Sequence, residues 1–357
     1  MTSADQKQAV RRVAAGSALA LSAALTLVGG SAAAAPVTPA PPRAHTGSAP
    51  ACGAAAHPVR RAAATTGPAD GRAQAPAGNA AQQISYRMPA QAPIGLWTTS
   101  AVTLRAPVSK GTVHLDVTTT GFSTDSLALQ RYVPSSRSWV DLAVRSDGGG
   151  LPAHADFSFP VTAAASAAHP YTVALRLQDL DRPGTLKVAA SVADGRGHTY
   201  RAPVRTAAAT RPAVSVAGWR RGATLLRGGA PTAFTVTVHN TTDRAYPGLT
   251  GVFNAYGQNR NVLRPADLVL QQYRAGHGWK RIALTPDGCD PGMFAVLAEP
   301  AEGPLAPGAT AVYRLRLAVA AGAPGDVTHA DAGLSVGTGD MASFFSQDLS
   351  FAIGNRR

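Results

Sequence analysis

Leu127-Ala-Leu-Gln-Arg-Tyr132, followed by Trp139-Val-Asp-Leu-Ala-Val144, returns further along the chain as Leu268-Val-Leu-Gln-Gln-Tyr273 and Trp279-Lys-Arg-Ile-Ala-Leu284. The match extends beyond these runs. Trp139 to Leu175 and Trp279 to Leu315 are both 36 residues, and each Leu opens a Leu-Arg-Leu run. A repeat of roughly 140 residues has the length of a whole domain, so the chain carries a duplicated fold and not a solenoid. In each copy an aromatic pair, Tyr132 with Trp139 or Tyr273 with Trp279, brackets a short turn-rich segment. Such a pair predicts a hairpin closed by cross-strand aromatics, as core and not as a ligand platform.

Working outward, apolar residues alternate with polar ones over short runs bounded by Gly, Pro, Asp and Asn. Val113, Leu115 and Val117 alternate in the first copy, as do Tyr171, Val173, Leu175 and Leu177, then Leu186, Val188, Ala190 and Val192. The second copy has Phe234, Val236 and Val238, then Tyr313, Leu315, Leu317 and Val319, and closes with Leu349, Phe351 and Ile353. A period of two is the mark of a half-buried strand, and past residue 35 no window shows the 3.6 period of an amphipathic helix. The expectation is all-β: two tandem β-sandwiches of roughly seven or eight strands each, a barrel being the second choice.

The N-terminus has a different texture. Lys7, Arg11 and Arg12 precede the apolar run Val13 to Val28 and a small-residue tail ending at Ala35, the order of a secretory signal peptide. A signal anchor and a twin-arginine signal are the competing readings. Residues 36–93 are rich in Ala, Pro, Gly and Thr and almost without large aliphatics. That composition cannot offset its ordering entropy, so it predicts a disordered leader. The expected domains are therefore a signal peptide over 1–35, the leader over 36–93, a first sandwich over 94–208 and a second over 211–355, jointed between Arg205 and Pro212. No apolar tail or sorting pattern precedes Gly354-Asn-Arg-Arg357, so no membrane span is expected in the mature chain and the protein is expected outside the cell or loosely on its wall. Cys52 and Cys289, the only thiols, are open to pairing with each other, to intermolecular pairing, or to staying reduced.

Formal net charge is +13, but residues 94–357 hold 25 Lys and Arg against 18 Asp and Glu, a balance of +7. Such a mildly basic body suits loose attraction to anionic wall polymer, or solubility alone, and nothing in the pattern asks for nucleic acid.

The run Phe234-Thr-Val-Thr-Val-His-Asn-Thr-Thr242, the Tyr273 to Trp279 hairpin, and Pro304-Leu-Ala-Pro-Gly-Ala-Thr-Ala-Val-Tyr-Arg-Leu-Arg-Leu317 resemble the immunoglobulin-like modules of actinobacterial secreted or surface proteins. The resemblance covers the second copy well and the first in part. It implies a sandwich fold and life outside the cytoplasm and brings no catalytic residues. The disulfide of antibody domains is absent, so the likeness is to the wider sandwich class.

Chemistry-bearing motifs are weak. Gly333-Leu-Ser-Val-Gly337 matches the nucleophile elbow G-x-S-x-G, but it lies in an alternating run with no helical pattern after it, so Ser335 reads as a chance match. Asp147-Gly148 and Asp287-Gly288 recur on the repeat period and read as turns. Asp287 with Asp290 falls short of the six or more oxygens calcium takes, and no metal or cofactor is called for.

One asymmetry draws the eye. Val117 to Gln130 is 13 residues but Val238 to Gln271 is 33, as though the second copy had gained about twenty, within Tyr246-Pro-Gly-Leu-Thr-Gly-Val-Phe-Asn-Ala-Tyr-Gly-Gln-Asn-Arg-Asn261. Either Leu249, Phe253 and Ala255 form an extra core strand that the first copy lacks, or the segment is a recognition loop. On the second reading the binding residues are Tyr246, Phe253, Asn254, Tyr256, Asn259 and Arg260. The function expected is a non-catalytic module binding wall polymer, glycan or another extracellular protein through the second sandwich. An architectural spacer is the alternative and a hydrolase the outsider.

Overall fold

A computed structural model describes residues 82–146, 154–258, 262–287, 292–300, 303–338 and 343–356. The signal peptide, most of the leader, Cys52, Asp147-Gly148, Asn259, Arg260, Asn261, Gly288, Cys289 and Asp290 lie outside these residues.

The first sandwich is built from β1 (Ile84–Arg87), β2 (Gln91–Pro93), β3 (Thr98–Leu104), β4 (Val108–Thr120), β5 (Leu127–Val133), β6 (Ser138–Asp141), β7 (Val144–Ser146), β8 (His154–Ala163), β9 (Tyr171–Asp179), β10 (Gly184–Ala193), β11 (Thr199–Arg201) and β12 (Arg205–Thr210). The second is built from β13 (Ala213–Ala217), β14 (Ala223–Leu226), β15 (Thr232–His239), β16 (Thr250–Gln258), β17 (Leu268–Arg274), β18 (Gly278–Arg281), β19 (Thr285–Pro286), β20 (Gly292–Val296), β21 (Thr310–Val319), β22 (His329–Gly337), β23 (Ser343–Asp348) and β24 (Phe351–Gly354).

Each sandwich has a five-stranded sheet, β1-β3-β9-β5-β6 or β13-β15-β21-β17-β18. Facing it is a seven-stranded sheet, β2-β12-β10-β4-β8-β7 with β11 beside β10, or β14-β24-β22-β16-β20-β19 with β23 beside β22. Every strand of the first copy has its counterpart twelve strands later, so the duplication covers the whole fold. The fold is an all-β sandwich. Alternation places Val113, Leu115, Val117, Phe157, Leu175 and Val188 in the first core, and Phe234, Val236, Phe253, Leu270, Leu315 and Phe351 in the second. Side chains on a pleated strand point to opposite faces, so apolar residues two apart must share the covered side.

Three boundary expectations are corrected. Residues 84–87 and 91–93, assigned to the leader, are strands, and Ile84, Tyr86 and Met88 are buried in the first core. β1 and β3 escaped notice because they are buried on both faces, with Thr98, Ser100 and Thr103 inside along with Val102 and Leu104. The joint narrows to Arg211-Pro212, since Ala207 and Ala209 are buried residues of β12. Among the described residues each copy has twelve strands, not seven or eight.

The apparent insert is also corrected. Val117 lies in β4 and Val238 in β15, which are not equivalent: β15 answers to β3, and β16, with Phe253 at its centre, answers to β4. No strand was gained or lost. Alternation identifies a strand but not its rank, and three successive strands alternate alike. The real difference lies in the connection before β16, which runs over 240–249 where the first copy needs only 105–107.

That longer connection joins the two sandwiches. Asn240, fully buried, donates its amide to the carbonyls of Arg244 and Leu305 (2.8 and 2.9 Å) and accepts from the Thr242 backbone and hydroxyl (3.0 and 2.8 Å), which folds the loop back on itself. The fold-back delivers Arg244 and Tyr246 to the first sandwich. The Tyr246 hydroxyl donates to the Ile94 carbonyl (3.0 Å) and Arg244 to the Trp97 carbonyl (2.8 Å). Ile94 and Leu96, between β2 and β3, are packed into the core of the second sandwich. Arg211 at the joint donates to the Phe344 carbonyl (2.6 Å), and Phe344 lies edge-on to Tyr246 at 5.5 Å.

Ile94 is fully buried, so Ile94→Ala removes core volume from a sandwich to which it does not belong by sequence. The expected loss is about 2–5 kcal/mol, read by chemical denaturation. Amide exchange should quicken in β16 and β22, which the variant leaves untouched if the sandwiches are energetically separate.

Candidate functional site

The repeated motif builds the same outward clamp twice. Its leucines face the core, while Gln, Arg and Trp face out. In the first copy Arg176 Nε donates to Gln130 Oε1 (2.6 Å), and the guanidinium lies over Trp139 at 4.6 Å and Trp97 at 4.2 Å. In the second, Arg316 donates to Gln271 (2.6 Å) and lies over Trp279 at 4.5 Å, with Arg314 over Tyr273 at 4.5 Å. The aromatic pairs close their hairpins as expected, at 5.4 Å for Tyr132 with Trp139 and 5.6 Å for Tyr273 with Trp279. They sit on the outer face, not in the core, with arginines over Trp139, Tyr273 and Trp279. A stacked cation occupies the ring face that a sugar or base would need, so the clamp reads as structure.

The outer faces of the two seven-stranded sheets differ. In the first copy Asp116 of β4 stands directly opposite Asp156 of β8, and each carboxylate meets a diagonal histidine: His154 to Asp116 at 3.2 Å and His114 to Asp156 at 3.3 Å. Like charges facing across a ladder repel, and the diagonal pairs offset that repulsion and cover this face with matched polar groups. In the second copy β16 presents Asn254, Tyr256 and Gln258 outward, all exposed. Tyr256 is flanked by Gly292 on β20 and Asp331 on β22, and Asn254 by Phe294 and Gly333. Neither glycine raises a wall. A side chain at Gly292 would meet nothing nearer than 3.6 Å, whereas at Gly333 its Cβ would come within 2.9 Å of the Asn254 amide, which occupies that space. The result is a shallow trough with a glycine floor beside an aromatic ring.

A hydrogen-bonded network fixes the ring. The Tyr256 hydroxyl bonds Asp331, which raises the phenol pKa above its ordinary value. Gln258 donates its amide to Asp331, and His329 lies 3.2 Å from the same carboxylate. The Ser350 hydroxyl stands 3.3 Å from Asp331 and 2.5 Å from Asp348. Burial pulls the Asp331 pKa up, but these donors and His329 together hold it below the usual carboxylate range. Ser350 and His329 both contact the carboxylate, and among the described residues no hydrogen bond joins Ser350 to His329. A hydrolytic triad needs the imidazole between the other two, so this arrangement orients groups and does not activate a nucleophile. Ser335, in mid-strand opposite Val252 and Ser346, lacks the sharp strand-to-helix turn of an elbow.

Of the six residues marked for binding, Tyr246 and Phe253 are fully buried, one at the joint and one in the core, so they are withdrawn as ligand contacts. Asn254 and Tyr256 share the trough; Asn259 and Arg260 fall outside the described residues. Asp331, Ser350 and Asp348 were missed, because nothing local in β22 or at the β23–β24 turn reveals that they converge on Tyr256. A cavity of about 30 Å³ lined by Leu249, Glu299, Pro304 and Leu305 holds a water at most. Among the described residues no group of three or more His, Cys, Asp or Glu is placed to hold a metal, and no helix is long and apolar enough to cross a membrane.

No family model matches the chain, and no curated protein matches it. Among solved structures, AvmM, which catalyzes macrocyclization in alchivemycin A biosynthesis, is similar at 18% identity and a TM-score of 0.31, covering 41% of this chain and 90% of its own. The BSP domain of a biofilm associated protein is similar at 8% and 0.24, covering 76% and 58%. The collagen adhesin CNA from S. aureus is similar at 9% and 0.21, covering 79% and 96%. Likenesses of that size assign no function.

Two titrations follow. Asp331→Asn removes the carboxylate that holds the Tyr256 proton, so the phenol pKa should fall toward 10.0, its ordinary value, by NMR of ring-labelled tyrosine. Asp179, buried at the end of β9, has one oxygen without a partner among the described residues, and burial lifts its pKa to about 6. A carboxyl whose folded pKa lies above its unfolded value contributes stability at low pH that is lost as pH rises through about 6. Asp179→Asn should therefore melt higher than the wild type at pH 8 and alike near pH 4, by thermal unfolding.

Proposed function

We propose that the chain is an exported, non-catalytic binding module that engages a neutral, hydroxyl-rich extracellular glycan on the outer face of the seven-stranded sheet of the second sandwich. The observation that carries this proposal is the contrast between the copies. One fold presents two equivalent faces; the first is lined by two His–Asp pairs with no tyrosine, phenylalanine or tryptophan ring among them, while the second sets an oriented, 43% exposed Tyr256 beside a glycine floor with Asn254, Gln258, Asp331 and Asp348 alongside. An aromatic face beside amides and carboxylates suits a sugar ring, whose C–H side stacks while its hydroxyls find acceptors and donors. Two carboxylates at the trough work against an anionic polymer there, despite the basic body as a whole. The joint supports the same role: Ile94, Leu96 and Tyr246 pack the two sandwiches against each other, so the trough is carried on one block with the first sandwich. The N-terminal apolar run of the sequence supports export.

The test is retention of the full chain on purified wall polysaccharide at rising salt. Tyr256→Ala and Asn254→Ala should each weaken retention by about tenfold with little change in melting temperature, since both side chains are exposed. Equal retention by Tyr256→Ala, or release at salt that merely screens simple charge, would sink the proposal.

A further inference from the structure

A sheet edge leaves a row of backbone N–H and C=O groups ready to pair with another strand, and proteins guard such edges with charge, proline or cover. Most edges here are guarded. β1 ends in Arg87, β6 in Asp141 and β7 carries Arg145, β2 and β19 contain Pro93 and Pro286, and β18 carries Lys280 and Arg281. β14 is uncharged, but its end turns onto the facing sheet through the bridge of Arg227 to Val319.

β13 differs. It is the edge of the second five-stranded sheet, bordered only by β15 among the described strands. Its sequence Ala213-Val214-Ser215-Val216-Ala217 has no charge and no proline, and Ala213, Ser215 and Ala217 are exposed. The five residues also read identically in both directions.

We propose that β13 pairs with β13 of a second copy of this chain, antiparallel about a two-fold axis at Ser215, joining two five-stranded sheets into one of ten. A two-fold interface must be self-complementary, and this strand is: Ser215 falls opposite Ser215, and Val214 opposite Val216. The antiparallel hydrogen-bond pattern is symmetric about any directly opposed pair, so the register closes whichever alternate set of groups already faces β15. Charge agrees. The paired strand itself carries no charge, and Arg211 lies before it while Arg220 lies beyond the bend at Gly218, so a net-basic molecule meets its copy without setting arginine against arginine in the ladder. Five paired residues bury less than the roughly 800 Å² per partner of a standard interface, so the dimer is weak and forms where the chain is concentrated.

Cross-linking tests the register in the full chain carrying Cys52→Ser and Cys289→Ser. Ser215→Cys brings two sulfurs together at the axis and should give a disulfide dimer under mild oxidation. Ala213→Cys sets them four residues apart, roughly 13 Å, beyond the reach of a disulfide. Ala213→Cys alone and Ala217→Cys alone should stay monomeric, while their mixture gives a mixed dimer. Ser215→Lys, which opposes two charges at the axis, should weaken self-association by about tenfold in sedimentation without lowering the melting temperature. Absence of a Ser215→Cys dimer, or Ala213→Cys linking to itself as fast, overturns the proposal. In a second chain that keeps Cys52 and carries only Cys289→Ser, an intramolecular bond from Ser215→Cys to Cys52 in place of the dimer also overturns it, the edge then being taken by the chain's own N-terminal segment.

Discussion

Ile94 belongs to the first sandwich by its place in the chain and to the second by its packing. With Leu96 beside it, it removes apolar surface from water inside a core whose other members lie more than a hundred residues away. The Tyr246 hydroxyl satisfies the Ile94 carbonyl, which would otherwise be buried without a partner. Burial lifts the Tyr246 phenol above its ordinary pKa, so it stays a proton donor throughout the physiological range. The ten-residue connection before β16, shaped by Asn240, exists to place that hydroxyl. The angle between the two sheet pairs and the setting of the trough follow from it.

Duplication has kept what folding needs and released what it does not. Both copies retain twelve strands in one order, the leucines of the repeated motif and the Gln–Arg–Trp clamp over them. The clamp explains why these residues repeat so closely although they face outward. The guanidinium ties three strands together by one hydrogen bond and ring stacking, and lysine could not do this, lacking a flat face. The outer faces of the seven-stranded sheets carry no such constraint and have diverged, one to matched His–Asp pairs and the other to Tyr256 with its glycine neighbours.

Arg227 shows how the second copy controls a long loop without secondary structure. Its buried guanidinium donates to the carbonyls of Ala323, Pro324, Gly325 and Val327 and to Asn355. A single side chain with five N–H groups thus satisfies loop carbonyls that no strand reaches.

The sequence by itself determined the all-β class, the duplication and the two aromatic hairpins, because alternation at period two and a repeat of domain length are local or countable properties of residues such as Leu127, Leu129, Leu175 and Leu177. It also put Tyr256 and Asn254 among six candidate residues, and these two share one exposed face of β16. Tertiary structure alone decided the rest. Strand rank was illegible, since Val117 and Val238 alternate alike in strands that are not equivalent. β1 and β3 were illegible because burial on both faces erases the alternation. The roles of Tyr246 and Asp331 were decided only in space: each acts on a partner, Ile94 or Tyr256, that the chain separates by scores of residues, and sequence spacing encodes no distance across a sheet or a joint.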